Sequence, residues 1–408
     1  MKNKIMYLGY YVGDEYFERY SKGDRFPQVA AYKLESRILN SLAQGGESVN
    51  VLGSIAVTTY PMNKRAVLPS GLFSSDNGQN GKIFPFINTP LLKMPSRFFS
   101  SIFCMLSRGR ADAVFVYSAH SPYLLSSYVF SRIYKIPFFV FLPDLPLFMD
   151  MGLKRSFFSR FLKKLDNEII NFLVSLSSGV FVSTKYMIED NPRWRSLPYL
   201  VVEGIAEGVS GDLSVDERAV LASEMRSQKV IFYAGGVNRS YGIRELVEGF
   251  IESNIDAQLW ICGRGDLESY LDEVSARHVG VKYLGFLPPD DVLSIQNSCD
   301  LLVLSRDPKE KYTRYSFPSK LLEYMSSGVP VLTTKLEGIP EEYYEYLNII
   351  SEFSVAGIAT ALEEFFSIDE TLVRRKSARG GEFVRSNKNT IAVGSKMVNF
   401  LNRCINDF

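Results

Sequence analysis

Residues 230–236 read VIFYAGG, five residues without a charge followed by two glycines. A run this short, rich in β-branched and aromatic residues and closed by glycine, predicts a buried strand that ends in a tight turn. The same signature recurs along the 408 residues as KIMYLGYY, AVFVY, PFFVFL, GVFVS, QLWICG, DLLVLS and VPVLTT. Longer stretches of helical periodicity separate these runs. That alternation predicts an α/β fold of parallel sheets covered by helices.

Eight such strands are too many for one simple unit. The polar stretch around Glu203 to Gln228 interrupts the rhythm before VIFYAGG restarts it, which places a linker near 204–212. We therefore expect two doubly wound, Rossmann-like domains facing across a cleft: residues 1–206, and residues 207–387. A C-terminal helix at about 388–408 is expected to pack back on the first domain.

Lys and Arg number 46 against 45 Asp and Glu, so the chain is nearly neutral, but its halves differ. Residues 1–206 hold 24 Lys and Arg against 15 Asp and Glu. The basic half suits an anionic partner surface. Cys104, Cys262, Cys299 and Cys404 lie far apart without CxxC spacing, which predicts reduced, buried thiols and neither a disulfide framework nor a zinc site. The N-terminus MKNKIMYLGYYVGDEYF lacks a signal-peptide pattern because its apolar run soon meets Asp14 and Glu15, so a cytoplasmic location is expected. No RNA- or DNA-binding motif occurs, and nucleic acid is not an expected partner.

In doubly wound sheets ligands bind beyond the carboxyl ends of strands, so the loops after VIFYA, LWIC and LVLS matter most. After VIFYA comes GGVNRSYG, with Gly236 where backbone can approach a ligand and Arg239 for an anion. After LWIC comes GRGDLESYL, with Arg264 between two glycines. Neither loop matches the GxGxxG fingerprint of nicotinamide-binding enzymes, and ordinary turn chemistry would explain each alone.

Residues 317–325, FPSKLLEYM, place Pro318 as the first residue of a helix, leaving the amides of Ser319, Lys320 and Leu321 free at its start. That is an anion site to which Lys320 adds a full charge. Glu323, one turn on, can accept two hydroxyl protons from a ribose diol while the helix start holds phosphates. A nucleoside diphosphate fits both. The alternative is a plain ion pair between Lys320 and Glu323 with no chemistry attached.

These segments, with VKYLGFLPPDDVL and GIPEE, resemble the donor half of family-four glycosyltransferases, retaining enzymes of GT-B architecture. The resemblance covers about 180 residues of the C-terminal half densely and the rest loosely. It implies transfer of a sugar from a nucleoside-diphosphate sugar, with UDP as the expected nucleotide, to a saccharide acceptor in surface polysaccharide assembly (O-antigen, capsule or exopolysaccharide). In that family a Glu, seven residues, Glu motif closes on the donor. The second glutamate matches Glu323, whereas Tyr315 stands at the place of the first. The resemblance puts Arg264 under the nucleobase, Phe286 and Leu287 at its edge, and Gly338 near the donor sugar, with Glu341 behind it in the same loop. It implies no cofactor and no metal, the sugar nucleotide being a substrate.

The N-terminal half is then expected to bind the acceptor, with His120 after AVFVYS and Asp144 after PFFVFLP as candidate catalytic residues at strand ends. Residues 153–165, LKRSFFSRFLKKL, place Phe157, Phe158, Phe161, Leu162 and Leu165 on one helical face amid Lys154, Arg155, Arg160, Lys163 and Lys164, and residues 95–110 are similar in character. Such helices are either interfacial or ordinary packing helices with solvated lysines. The interfacial alternative implies peripheral contact with an anionic inner membrane and a lipid-linked acceptor. Two rival functions use the same donor site: a GT-B-like nucleotide-sugar epimerase, and a non-catalytic nucleotide-sugar-binding subunit.

Overall fold

The computed structural model describes residues 3–24, 27–74, 78–145, 157–206 and 228–408, and side chains within these ranges except those of 157–160. Two compact units divide the chain. Met1–Ile205 with Thr390–Phe408 forms unit 1, and Ala206–Asn389 forms unit 2.

Unit 2 is a six-stranded parallel sheet. Its strands are β11 (Lys229–Ala234), β12 (Ala257–Cys262), β13 (Val281–Tyr283), β14 (Leu301–Leu304), β15 (Val331–Thr334) and β16 (Asn348–Ile350). They lie in the order β13-β12-β11-β14-β15-β16, which is the 3-2-1-4-5-6 order of the doubly wound nucleotide-binding fold. The order reverses between β11 and β14, the topological position at whose strand carboxyl ends doubly wound sheets bind ligands. Burial follows from composition: Ile231, Phe232, Leu259, Trp260 and Leu302 have no exposed surface, because helices cover both faces of a parallel sheet. Helices are capped where sequence allows. Ser354 accepts from the Gly357 amide at 3.0 Å, and Asp369 accepts from the amides of Thr371 and Leu372 at 2.8 and 3.3 Å.

Unit 1 repeats the principle on an eight-stranded sheet. In chain order its strands are β1 (Lys4–Gly9), β2 (Ser48–Gly53), β4 (Gly71–Ser74), β5 (Asn80–Ile83), β7 (Ala113–Tyr117), β8 (Phe138–Leu142), β9 (Gly179–Val182) and β10 (Tyr199–Val201). The order is β10-β9-β8-β7-β1-β2-β5-β4, parallel throughout except that β4 runs antiparallel to β5. A separate two-stranded ribbon pairs β3 (Val67–Leu68) with β6 (Phe86–Ile87). The final helix, Thr390–Asn406, packs in unit 1 against the helix Val29–Gln44; Gly394 approaches Ser41 so closely that an added Cβ would lie 2.2 Å from its carbonyl oxygen.

All four cysteines are buried and unpaired. Among the described residues no helix is long and apolar enough to cross a membrane, and no cluster of His, Cys, Asp and Glu could hold a metal ion. Residues 207–227, most of the polar stretch read as a linker region, lie outside the described residues.

Candidate functional site

In unit 2 three loops are laced together at the carboxyl ends of β11, β12 and β13. Gly235 N–H donates to Cys262 O at 3.0 Å, Val237 N–H to Arg264 O at 3.0 Å, and Gly263 N–H to Gly285 O at 2.8 Å. Arg239 N–H donates to the Asp266 carboxylate at 2.9 Å, which fixes the turn Arg239–Tyr241 against the neighbouring loop. Gly236, Arg239 and Arg264 therefore share one ledge. Both arginine side chains are exposed at its surface. The Arg264 guanidinium lies 4.7 Å from the centre of the exposed Phe286 ring, a cation–π pair that presents a flat face. Leu287 reaches the same place through its backbone, which contacts the Cys262 thiol.

The glycines of this ledge serve the protein before any ligand. A Cβ on Gly263 would lie 1.7 Å from Gly235 O, and one on Gly265 2.4 Å from Val237 O. Adjacent loops stack backbone on backbone there. Gly242, at φ 71°, would meet Ser305 O at 1.8 Å, so the loops after β11 and β14 also touch.

The helix carrying the FPSKLLEYM motif spans Lys320–Ser327 and ends at Gly328, whose φ is 74°. Leu321, Leu322, Tyr324 and Met325 are its buried face. Tyr324 fastens the helix to β11: its hydroxyl accepts from the Ala234 amide at 2.8 Å and contacts Ala234 O at 3.1 Å. One expectation needs correction. Leu321 N–H donates to Pro318 O at 2.8 Å and its side chain is wholly buried, so Leu321 belongs to the core and offers no free amide. Pro318 likewise lies before the helix, two residues ahead of its first, Lys320. The exposed positions at the start are Ser319 and, partly, Lys320.

Lys320 Nζ and Glu323 Oε2 are 2.6 Å apart, each about one-third exposed. The ion pair considered from sequence thus forms. An exposed i,i+3 pair contributes only about 0.2–0.5 kcal/mol, little to set against a ligand that offers phosphate to one partner and hydroxyls to the other. Gly338 is buried, its amide donating to Thr313 O at 3.1 Å, and Glu341 is exposed and pairs with Lys335 at 2.9 Å. Tyr315 ends the short helix Tyr312–Tyr315, whose Tyr312 hydroxyl donates to Ser240 O at 2.9 Å. Through this helix the Gly338 loop joins the ledge.

Arg306 is the residue that sequence reading passed over. It follows β14 by two positions, half-buried, with its guanidinium 4.9 Å from the Tyr241 ring centre and 5.7 Å from that of Tyr312. Its charge acts on the Tyr233 and Tyr312 hydroxyls, partly opposing the burial that raises both pKa values. The rule that ligands gather at strand ends pointed to this loop; the arginine itself was the available signal.

In unit 1, β7 pairs with β8 and with β1, so Tyr10, His120 and Asp144 come from the ends of three adjacent strands. Ser118 adopts φ 74°, a costly conformation for a residue with a side chain, and the turn it makes delivers His120 to the start of the helix Ser121–Tyr134. His120 packs at 4.6 Å from the Tyr123 ring, and its Nε2 lies 3.4 Å from the guanidinium of Arg97. Burial, then the charges of Arg97 and Lys93, hold its pKa well below the ordinary value. A neutral imidazole beside two cations results. Arg97, in the 95–110 stretch read from sequence as either an interfacial or an ordinary packing helix, is 4% exposed and donates to Ile55 O at 3.1 Å. Lys93 donates to Val57 O at 2.8 Å and burial lowers its pKa to about 7. Asp144 is exposed, and residues 146–156 beyond it lie outside the described ones.

Residues 228–367, within unit 2, match the family model described as Glycosyl transferases group 1. A curated relative, N-acetyl-alpha-D-glucosaminyl L-malate synthase of Bacillus anthracis, is 26% identical over 140 residues. The match covers 31% of this chain and 35% of that enzyme's length. Among solved structures, sucrose-phosphate synthase from Thermosynechococcus elongatus aligns with a TM-score of 0.68 at 13% identity, covering all of both chains. HepE of Anabaena in complex with UDP aligns with a TM-score of 0.64 at 13% identity, over 99% of this chain and all of that one. The fold is GT-B.

Proposed function

We propose that the protein is a retaining, family-four hexosyltransferase that moves a sugar from a UDP-sugar to a lipid-linked saccharide during surface polysaccharide assembly in the cytoplasm. The observation that carries this reading is the union of Arg239, Arg264, Arg306, Lys320 and Glu323 on elements gathered at the carboxyl ends of β11, β12 and β14, within a domain matched by the glycosyl transferases group 1 model. UDP is the nucleotide bound in the HepE structure. The relative's name describes a glucosaminyl transfer.

In this reading Glu323 accepts the ribose hydroxyls, and the Arg264–Phe286 face lies along the nucleobase. Arg239, Arg306, Lys320 and the amide of Ser319 neutralise the diphosphate. Stabilising that leaving group matters most, because a retaining transfer breaks the bond from the anomeric carbon to phosphate through an oxocarbenium-like state. The acceptor hydroxyl attacks from the face the diphosphate leaves, and its proton passes to the departing phosphate oxygen. Gly338 backs the loop near the sugar. In unit 1 the neutral His120 can orient the acceptor hydroxyl together with Asp144, and the neighbouring Arg97 and Lys93 suit an acceptor that itself carries phosphate.

The test is incubation with a panel of nucleotide sugars and phosphate-linked saccharide acceptors, with the anomeric configuration of the product read by NMR. A product with the donor's α-configuration supports the proposal. Inverted configuration, or donor binding without turnover on any acceptor, would refute retention or transfer respectively. His120→Ala and Asp144→Ala should lower kcat at least tenfold while leaving UDP affinity within about twofold, because unit 2 alone holds the nucleotide. Equal loss of UDP affinity would assign both to structure instead.

A further inference from the structure

In unit 1 three consecutive helices lie side by side: Lys93–Arg108 packs on Ser121–Tyr134, which packs on Phe157–Ser175. Each turns its inner face to the sheet, as unit 1's apolar strands require. Each also carries a second apolar stripe, pointing outward. On the first helix Phe99, Phe103 and Leu106 follow i, i+4, i+7 spacing and are exposed, Phe103 by 74% and Phe99 by 66%. Leu125 and Ile133 continue the pattern on the second. On the third, Phe161, Leu165, Ile169 and Phe172 repeat at i, i+4, i+8 and i+11, all exposed, with Phe161 at 58% and Phe172 at 56%. Leu91, just ahead of the first helix, is exposed as well.

One outward stripe would be ordinary. Three on helices packed side by side put many aromatic and aliphatic side chains on one helical layer, and monomeric proteins seldom leave a large apolar patch to water. The surrounding charge is mainly basic. The first two helices contain no acidic residue, and exposed Arg108, Arg110, Arg132, Lys135 and Lys164 lie along or just beyond the three. Of the two acids on the third, Glu168 is engaged by Arg193 at 3.0 Å. Phenylalanine and leucine ringed by Arg and Lys match the apolar depth and the phosphate layer of a bilayer.

We propose that this three-helix face docks unit 1 on an anionic lipid surface, with Phe99, Phe103, Phe161 and Phe172 entering the acyl boundary and Arg108, Arg132 and Lys164 meeting lipid phosphates. The inference stands on unit 1 alone and does not depend on the sugar-transfer reading. It corrects the sequence expectation in extent. Residues 153–156 and the side chains of 157–160 lie outside the described residues, whereas the exposed stripe runs on past residue 165, and the helix Ser121–Tyr134 joins the two stretches singled out from sequence.

Cosedimentation of the full chain with vesicles of phosphatidylcholine, with and without phosphatidylglycerol, tests the face. The wild type should bind the anionic vesicles, and more weakly as salt rises. The pair Phe99→Ser and Phe103→Ser should lose at least about tenfold in affinity, and so should the pair Arg108→Glu and Arg132→Glu, which also flattens the salt dependence. All four positions are exposed, so the thermal midpoint should hold, and unchanged UDP affinity separates a failed surface from a failed donor site. Should the serine pair not fold, the glutamate pair still decides. Absence of vesicle binding at low salt, or equal binding to neutral vesicles, would overturn the proposal. So would concentration-dependent dimerisation, seen by light scattering, that the serine pair abolishes without any vesicle binding, since a second copy would then be the occupant.

Discussion

Replacing Glu35 by glutamine is expected to change the pH dependence of stability strongly. Glu35 sits on the inner face of the helix Val29–Gln44 with no exposed surface, and its Oε1 accepts the Tyr10 amide at 2.7 Å. Its other carboxylate oxygen is buried, and the Tyr7 hydroxyl interacts with the same carboxyl group. Burial raises its pKa to about 8, against which the backbone hydrogen bonds from Tyr11 and Tyr10 act only in part. The folded chain thus holds this proton more tightly than the unfolded chain. The stabilisation from that proton is complete below the ordinary carboxylate range and is lost as pH rises from there to about 8, a change on the order of 4 kcal/mol. Glutamine keeps an acceptor for Tyr10 and cannot ionise. The variant should therefore melt at or below the wild type at pH 5 and well above it at pH 9. Parallel melting curves across that range would show that Glu35 does not titrate in the fold.

Gly263→Ala is the second large effect, and it falls on the donor ledge. Gly263 adopts φ 142°, which side chains disfavour, and the added methyl would lie 1.7 Å from Gly235 O. Neither neighbour is a flexible side-chain tip: both loops must separate, straining the Gly235 N–H to Cys262 O bond that holds them. Backbone strain of about 1–3 kcal/mol adds to a weakened buried hydrogen bond of about 1 kcal/mol. We expect a fall in thermal midpoint on the order of 10 °C, with UDP affinity reduced even in the folded fraction. Calorimetry would contradict this with a midpoint within about 2 °C of the wild type, since a domain of this size shifts by about 2–4 °C per kcal/mol.

Both residues mark where sequence reading stops. Four of the six strands of unit 2 were legible because VIFYA, LWIC, LLVL and VLTT are short, apolar runs with few other uses, whereas β13 and β16, of three residues each, were not read as strands. Their order followed from the doubly wound pattern. The helix at Lys320–Ser327 was legible through its proline and its Gly328 stop. What the sequence could not disclose is which way a polar side chain turns. Glu35 and Arg97 sit in helices with charged outer faces and look like surface residues, yet each points inward to satisfy the end of a strand or a neighbouring carbonyl. Gly263, read from the sequence only as a turn glycine beside Arg264, proved to be room for Gly235. Arg306 lay in a loop already singled out, but only its stacking beside Tyr241 and Tyr312 distinguishes it from a solvated arginine.

The central claim, that unit 2 holds a nucleoside diphosphate at these strand ends, is tested most directly by calorimetric titration of UDP and uridine into the wild type, Glu323→Gln, Lys320→Met and Arg306→Met. Charged hydrogen bonds contribute about 1.5–3 kcal/mol, so each variant should bind UDP at least about tenfold more weakly while keeping its thermal midpoint. Glu323→Gln should weaken uridine as well, whereas Lys320→Met and Arg306→Met should leave uridine nearly unchanged. UDP affinity equal to the wild type in all three variants would contradict the claim, leaving the Lys320–Glu323 contact as an ordinary surface ion pair.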